Sequence, residues 1–532
     1  MKKSLTFIMV LVLAGMPVFS GGRSQSSTAS GWTSGDGPFS YPVRGGGKVT
    51  YWQQVQAVWS ANYTNLGQTP FAQRLMEKTG IEIEYLHPSS TAPAEAFNLM
   101  VADGNLPDII QWNFHRSFSG GPARALDEGI IIPLNDVIPR WAPNLRAYLD
   151  EHPNIDKDVK TDSGQYYTFP FVRGHERLQF SSGLMVRKDW LDDLGLSLPT
   201  TLDEVYEVLT AFKEKKGAAA PYTAAGGGIY IFGYPYGFET DFFVHDDGRM
   251  RHGVLEPGFR SYIETMAKWY REDLLDRDIF TMTAQTVTAK ITTGVSGMTS
   301  GSVNSGLVTY NNTARRTDPN FTLVMMPSLT LRKGDRPDFS NGDLPFGTNT
   351  ISMTGISTKS RNVELAARLL DYGYTPEGHM LYNFGTEGIS YTMVNGFPTF
   401  TDFIINNPQG MAISNTLAGY ALSGSGGPFI QDVRYLDQYM NSPEGKEGLD
   451  VIYAPWVLRH KVPIISLTTA ENSELVRIMS DVNTYVDEMT TKFVLGVEPL
   501  SSFDTFIATV RRMGLERAVE IQNAALTRYN RR

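Results

Sequence analysis

The sequence predicts an α/β protein whose chain divides between two lobes, and three observations carry that expectation. At 532 residues the chain is longer than one hydrophobic core usually serves. From Lys48 onward, short β-prone runs alternate with amphipathic helices, the pattern of a doubly wound lobe with a mostly parallel sheet. Between Gly164 and Lys213 an aromatic run, Tyr166–Val172, leaves one compact unit and feeds a short strand, Gly183–Val186, and then two helices. That order reads as a crossover between lobes. The second of those helices has a recognisable start, with Pro199-Thr200-Thr201 ahead of Asp203 and Glu204 in the first turn.

In chain order, Lys48–Gln53 reads as a strand and Pro70–Thr79 as a helix closed by Gly80. Ile81–Tyr85 is a strand, Ala94–Ala102 a helix and Asp108–Trp112 a third strand. After the crossover, a Gly/Tyr loop spans Gly226–Phe238, and Asp246-Asp247-Gly248 has the turn chemistry of a hairpin. Pro257–Glu272 reads as a helix, Val295–Thr299 and Phe321–Pro327 as strands, and Arg332–Asp343 as a surface loop. Asn349–Ile356 is expected to return to the first lobe, backed by a helix over Val363–Tyr372. Met411–Pro428 is Gly/Ser-rich and reads as a loop over a cleft rim. Helices over Glu471–Leu495, Ser502–Met513 and Leu515–Tyr529 close the chain.

The N-terminus has the features of an export signal. Lys2 and Lys3 precede the apolar run Phe7–Ala14, and Val18 and Ser20 place cleavage after Ser20. The run is too short to span a bilayer. Leu13-Ala14-Gly15 would open a lipobox, but Met16 follows and the chain has no cysteine, so thioether lipidation, disulfides and thiolate metal sites are excluded. Residues 21–47, rich in Gly, Ser and Thr, read as a flexible leader. The expected location is the periplasm. A net charge of −9 speaks against a nucleic-acid partner.

No phosphate-cradling loop is present: Gly226-Gly227-Gly228 lacks a following Lys-Ser/Thr. His115, His175, His245 and His252 show no zinc spacing, and no Gly-x-Ser-x-Gly elbow occurs. The expectation is therefore no metal, no cofactor and no catalytic residue.

The chain also resembles a known family. Gly164-Gln165-Tyr166-Tyr167-Thr168-Phe169-Pro170, followed by Arg187-Lys188-Asp189-Trp190-Leu191 and Pro199-Thr200-Thr201-Leu202-Asp203-Glu204, is similar to the extracellular solute-binding proteins of ABC importers, in the large oligosaccharide-binding branch. Phe97–Ile110, Ala267–Phe280, Asn383–Gly396 and the C-terminal helices extend the resemblance over Lys48–Tyr529. It implies a type II periplasmic-binding fold with hinge closure around a ligand. Lobe 1 would comprise residues 48–170 and 345–400, and lobe 2 residues 171–344 and 401–532. Crossings are expected near Phe169–Arg173 and Gly347–Ser352, with a return after Phe400. The implied partners are an oligosaccharide and the permease subunits of an importer, with the binding protein itself a monomer. Some sugar-binding relatives carry a calcium loop after the helix that here ends in Phe212–Lys215, but Gly217–Thr223 lacks oxygen-bearing carboxylates. Tryptophans that alginate-oligosaccharide binders place near Ser302 and Ile430 are also missing, so a different or smaller sugar is expected.

Sugars present apolar C–H faces ringed by hydroxyls, so aromatic rings beside planar polar groups are the informative pattern. Ligands of open α/β sheets bind outside the carboxyl ends of strands. Trp52 with Gln54, and Trp112 with Asn113, stand at two such ends, and Trp59 is a rim candidate; the alternative for each ring is core packing. Tyr234 and Tyr236 flank Pro235 in the Gly-rich loop. Arg173 at the crossing either contacts ligand or supports the hinge; Asn304 follows a strand in a Gly/Ser loop. Glu387, in Gly-Thr-Glu-Gly, either accepts sugar hydroxyls or serves a turn. The rival reading from another class is a secreted polysaccharide-degrading enzyme using carboxylates such as Glu239 and Glu387.

Overall fold

The computed structural model describes residues 39–60, 62–88, 91–346, 353–440 and 442–532, with the side chains of Ala57, Asn304 and Ser305 left undescribed. The export signal, most of the leader and the crossing at 347–352 lie outside the described residues.

The strands are β1 (Lys48–Trp52), β2 (Glu82–Leu86), β3 (Ile109–Gln111), β4 (Phe169–Pro170), β5 (Val172–Arg173), β6 (Ser182–Arg187), β7 (Phe242–Val244), β8 (Met250–His252), β9 (Met298–Ser302), β10 (Leu323–Met325), β11 (Met353–Ile356), β12 (Tyr391–Val394), β13 (Phe397–Phe400) and β14 (Ile430–Gln431). Two sheets organise the molecule. The first has the order β2-β1-β3-β11-β4, and the second β10-β6-β9. In the first, β2, β1, β3 and β4 share one direction and only β11 runs against them. In the second, β6 alone opposes its neighbours, and Tyr222 continues the β9 direction through parallel bridges to Met298 and Leu275.

Each of the two opposed strands starts where its neighbours end, and so runs antiparallel to them. Met353, the first residue of β11, accordingly pairs with Pro170 at the end of β4, and Ser182, the first of β6, with Ser302 at the end of β9. The carboxyl ends of β4 and β9 therefore lie beside the starts of β11 and β6.

Alternation along β6 explains why the second sheet is covered on both faces. Leu184 and Val186 join a core with Phe212, Trp269 and the C-terminal helices, whereas Met185 points into another core with Leu323, Met325 and Ile452. The first sheet has its own core, from Tyr41 to Val172 and from Phe346 to Tyr382, joined by Ala418, Leu422 and Phe429.

The helices follow their caps. Thr69 caps Pro70–Thr79 and Gly80 ends it with a φ of 69°. Thr201 caps Leu202–Lys216, while Thr468 and Glu471 form a capping box for Thr469–Leu495. Among the described residues no helix is long and apolar enough to cross a membrane.

Two expectations change. The leader does not run to residue 47: the Tyr41 ring is buried edge-on against Tyr372, its hydroxyl donates to the Arg368 carbonyl, and Arg368 donates to the Ser40 carbonyl. A buried aromatic ring and the hydrogen bonds at Arg368 outweigh the flexible composition around them. Met411–Pro428 is not all loop either, since Ile413–Ala418 is a helix whose end packs on the first core.

Candidate functional site

The crossing at β5 is tied on both sides. Val172 and Arg173 pair in parallel with Ile430 and Gln431, and the Arg173 N–H donates to the Pro345 carbonyl at 2.9 Å. The Arg173 guanidinium donates to Asp343 at 3.1 Å and to the Leu344 carbonyl at 3.2 Å. Gly174 follows because the strands approach closely: a Cβ there would lie 2.7 Å from the Gln431 carbonyl oxygen. Three chain segments thus meet at one place, and Arg173 knits two of them.

On the first wall, Trp52 and Trp112 stand at the ends of β1 and next to β3. Their rings point inward. Trp112 stacks on Phe97 at 4.8 Å and 9°, meets Trp52 edge-on at 5.6 Å, and is only 7% exposed. Trp59 is fully enclosed instead of standing at a rim, its indole N–H donating to the Ala418 carbonyl at 2.7 Å. The reason is the helix Ile413–Ala418, which covers it. Asn113 is buried and uses its Oδ1 to accept from the Arg116 N–H, shaping the turn after β3. Gln54 is half-buried after β1. His115, half-buried in the same turn, is pushed down to about 4 by burial and by the nearby Arg116 and Arg532, so it is neutral at neutral pH.

On the second wall, Tyr230–Tyr236 forms a 3-10 helix that turns its two predicted tyrosines in different directions. Tyr236 bonds the Thr265 hydroxyl at 2.6 Å, toward the helix Gly258–Arg271. Tyr234 donates to Asn341 Oδ1 at 2.6 Å and lines a cavity with Ser182, Ser328, Ser340 and Asn341, at the start of β6 and just past the end of β10. Burial, with the nearby Glu239 charge, raises the Tyr234 hydroxyl far above its ordinary range, so it stays a donor.

Asn304 lies in a single π turn, Val303–Leu307, after β9, with its side chain outside the described set. Glu387 is exposed in the turn before β12, bridged to Tyr391. Glu239 is matched by Lys461 at 2.6 Å. Among the described residues no group of three or more His, Asp or Glu side chains is placed to hold a metal ion.

Ser182, Ser328, Ser340 and Asn341 were not singled out from the sequence. The signal lay in Phe339, an aromatic inside an otherwise polar run. It is buried against Phe243 and His460, and pulls the end of the Arg332–Asp343 loop onto the wall.

Two separate sheets, each with its own core and joined through the β5–β14 pair, define a two-lobed α/β protein. Residues 60–380 match the bacterial extracellular solute-binding proteins, and the chain belongs to that family. Among its relatives is the fructooligosaccharide ABC transporter substrate-binding protein FusA of Streptococcus pneumoniae, 23% identical over 86% of each chain. Another is the lipoprotein LipO of Bacillus subtilis, 25% identical over 67% of this chain and 70% of that one. Among solved structures, the alginate-binding protein AlgQ2 without calcium superposes with a TM-score of 0.72 at 24% identity, over 90% of this chain and 98% of that one. An HMO-binding solute-binding protein of Bifidobacterium longum infantis reaches 0.71 at 18% identity, over 91% and 99%.

Proposed function

We propose that this chain is the substrate-binding component of an ABC importer, capturing an oligosaccharide between its lobes and delivering it to the permease. The observation that carries this reading is that both sheets turn their carboxyl ends, with aromatic and amide or hydroxyl side chains, toward the crossings. Matches to FusA and to the Melibiose/raffinose/stachyose-binding protein MelE of Bacillus subtilis agree with a carbohydrate cargo. Residues 39–172 and 346–382, joined by Ala418, Leu422 and Phe429, act as one lobe, and the rest, with Phe384, Tyr391 and Phe400 packed beside the second sheet instead of the first as expected, act as the other, closing about Arg173 and the strand pair β5–β14. Export to the periplasm as a monomer follows from the same reading.

The contact residues divide by depth. Gln54, Arg173, Tyr234 and Asn341 have side chains partly open and contact ligand directly, with Asn304 and Glu387 bordering them. Trp52, Trp112 and Asn113 form the floor that positions the first wall, Trp59 fixes the turn after β1, and Tyr236 braces the tyrosine loop. The protein binds without chemistry. Incubation with labelled oligosaccharides should give saturable binding and recover the ligand intact; turnover would favour a degradative enzyme, and absence of binding to any oligosaccharide would overturn the reading.

A further inference from the structure

We propose that the second wall selects an uncharged sugar, seating one of its hydroxyls in the cavity between Tyr234, Ser182, Ser328, Ser340 and Asn341, and discriminates against uronates. The inference rests on the oligosaccharide-receptor reading and adds the chemical class of the cargo.

The cavity is small, about 20 Å³, room for one water-sized group such as a hydroxyl. Its polar lining consists of hydroxyls and one amide. Tyr234 donates to Asn341 Oδ1, which engages that oxygen as acceptor and leaves the amide N–H₂ as a donor. Ser328 donates to Ser340 Oγ at 2.6 Å, leaving the Ser340 hydroxyl hydrogen to donate in turn. Leu184, Ile231 and Leu329 supply apolar surface beside them. A pocket that offers both donors and acceptors, without net charge, is matched to a polyol.

Arg173, Lys461 and Arg459, the cations that strap this wall, are already matched. Arg173 is held by Asp343 and the Leu344 carbonyl. Lys461 is paired with Glu239, both side chains less than a fifth exposed, and Arg459 bridges Asp246 and Asp338 at 3.0 Å each. The Arg459 bridge, the Trp456 indole bond to the Pro337 carbonyl and the Arg173–Asp343 pair strap the loop that carries Ser340 and Asn341. A carboxylated sugar would have to compete with Asp343 for Arg173 or remain an unmatched negative charge away from water. Arg116 beyond β3, and Arg336 over the Trp456 ring, are exposed and screened by solvent.

The test is calorimetric titration of the full chain with uncharged oligosaccharides (fructo-, galacto- and gluco-oligosaccharides) and with oligogalacturonates and oligoalginates of the same length. The best uncharged ligand should bind at least about a hundredfold more tightly than any uronate. Asn341→Ala should weaken that binding about tenfold while the unfolding midpoint falls by no more than about 4 °C, the loss of one hydrogen bond to Tyr234. Asp343→Asn, which releases Arg173, should narrow the preference over uronates about tenfold. Uronate affinity equal to or above that for uncharged sugars, or a preference unmoved by Asp343→Asn, would overturn the inference while leaving the receptor reading intact. Absence of binding to either class would overturn both.

Discussion

Replacing Trp112 with Ala separates a supporting role from a ligand platform. The ring is 7% exposed, stacks on Phe97 at 4.8 Å and meets Trp52 edge-on at 5.6 Å. A buried tryptophan removes roughly 150–250 Å² from water, and each aromatic pair adds about 0.5–1.5 kcal/mol. Truncation of such a residue to Ala costs about 3–5 kcal/mol, and Phe97, which lines the same cluster, cannot collapse into the space without losing its contacts to Phe114 and Phe118. At roughly 2–4 °C per kcal/mol for a unit of this size, the first lobe should melt about 10 °C earlier. Trp112→Phe keeps a ring against Phe97 but loses the long indole bond to the Ser117 carbonyl, 3.4 Å, and part of the buried ring surface, so it should cost less than Ala, about 1–3 kcal/mol. Differential scanning calorimetry reads the midpoints, and titration with the best sugar ligand reads affinity. An unchanged midpoint in Trp112→Ala, together with a thirtyfold or greater loss of affinity, would show that the ring meets ligand and refute the supporting role.

Three further outcomes are expected. Asp371, buried and bonded by the N–H groups of Asn144 and Leu145 and the Asn144 amide, is pushed up to about 7 by burial. The folded chain therefore keeps a proton that the unfolded chain loses near pH 4, so this contribution is full below about pH 4 and is lost as pH rises through about 7. Relative to Asp371→Asn, wild-type stability should fall by a few kcal/mol across that window in urea titrations, and a flat difference would refute the assignment. Asp162 accepts from Arg528 at 2.8 Å and from Arg532, whose side chain is 3% exposed, so Asp162→Ala should cost about 3 kcal/mol by leaving a buried guanidinium short of its counter-charge; a midpoint within 1 °C of wild type would contradict this. Gly174→Ala drives a Cβ to 2.7 Å from the Gln431 oxygen and 2.8 Å from the Ile430 side chain, so it should cost about 1–3 kcal/mol and loosen β5 from β14, read as faster exchange of the residue-174 amide that donates to the Gln431 carbonyl; unchanged exchange would show that the strand pair stays closed and refute the prediction.

The fold was legible where local chemistry decides. Pro70–Thr79 forms over the expected residues because cap, periodicity and terminator agree, and Leu515–Tyr529 does so on its apolar periodicity after Gly514. The hairpin around Asp246-Asp247-Gly248 joins β7 to β8, as the turn residues require. The direction of β6 and β11 was not legible, because it depends on where the chain has come from and not on what the strand contains. The Met411–Pro428 helix was hidden for a related reason: Ile413–Ala418 is a single short turn-and-a-half whose stability comes from covering Trp59 and Phe71, and not from its own propensity.

The site was legible in position and not in orientation. The strand-end rule places Trp52 and Trp112 next to the crossings, but it carries no information on which way a ring turns. That is decided by neighbours brought from elsewhere: Phe97 offers a parallel face to Trp112, and Ala418 an acceptor to Trp59. A ring with a buried stacking partner and a satisfied N–H gains more by facing inward than by waiting in water for a ligand. The polar groups follow the opposite logic. Tyr234, Asn341, Ser328 and Ser340 satisfy one bond each among themselves and keep further donor or acceptor capacity, which in a partly open wall is available to a hydroxyl-bearing ligand. The chain distances involved, 107 residues between Tyr234 and Asn341 and 170 between Arg173 and Asp343, explain why no local pattern announced them. A loop that looks like solvent-facing connection in sequence becomes part of the cavity lining beside Tyr234 once Phe339, Trp456 and Arg459 hold it down.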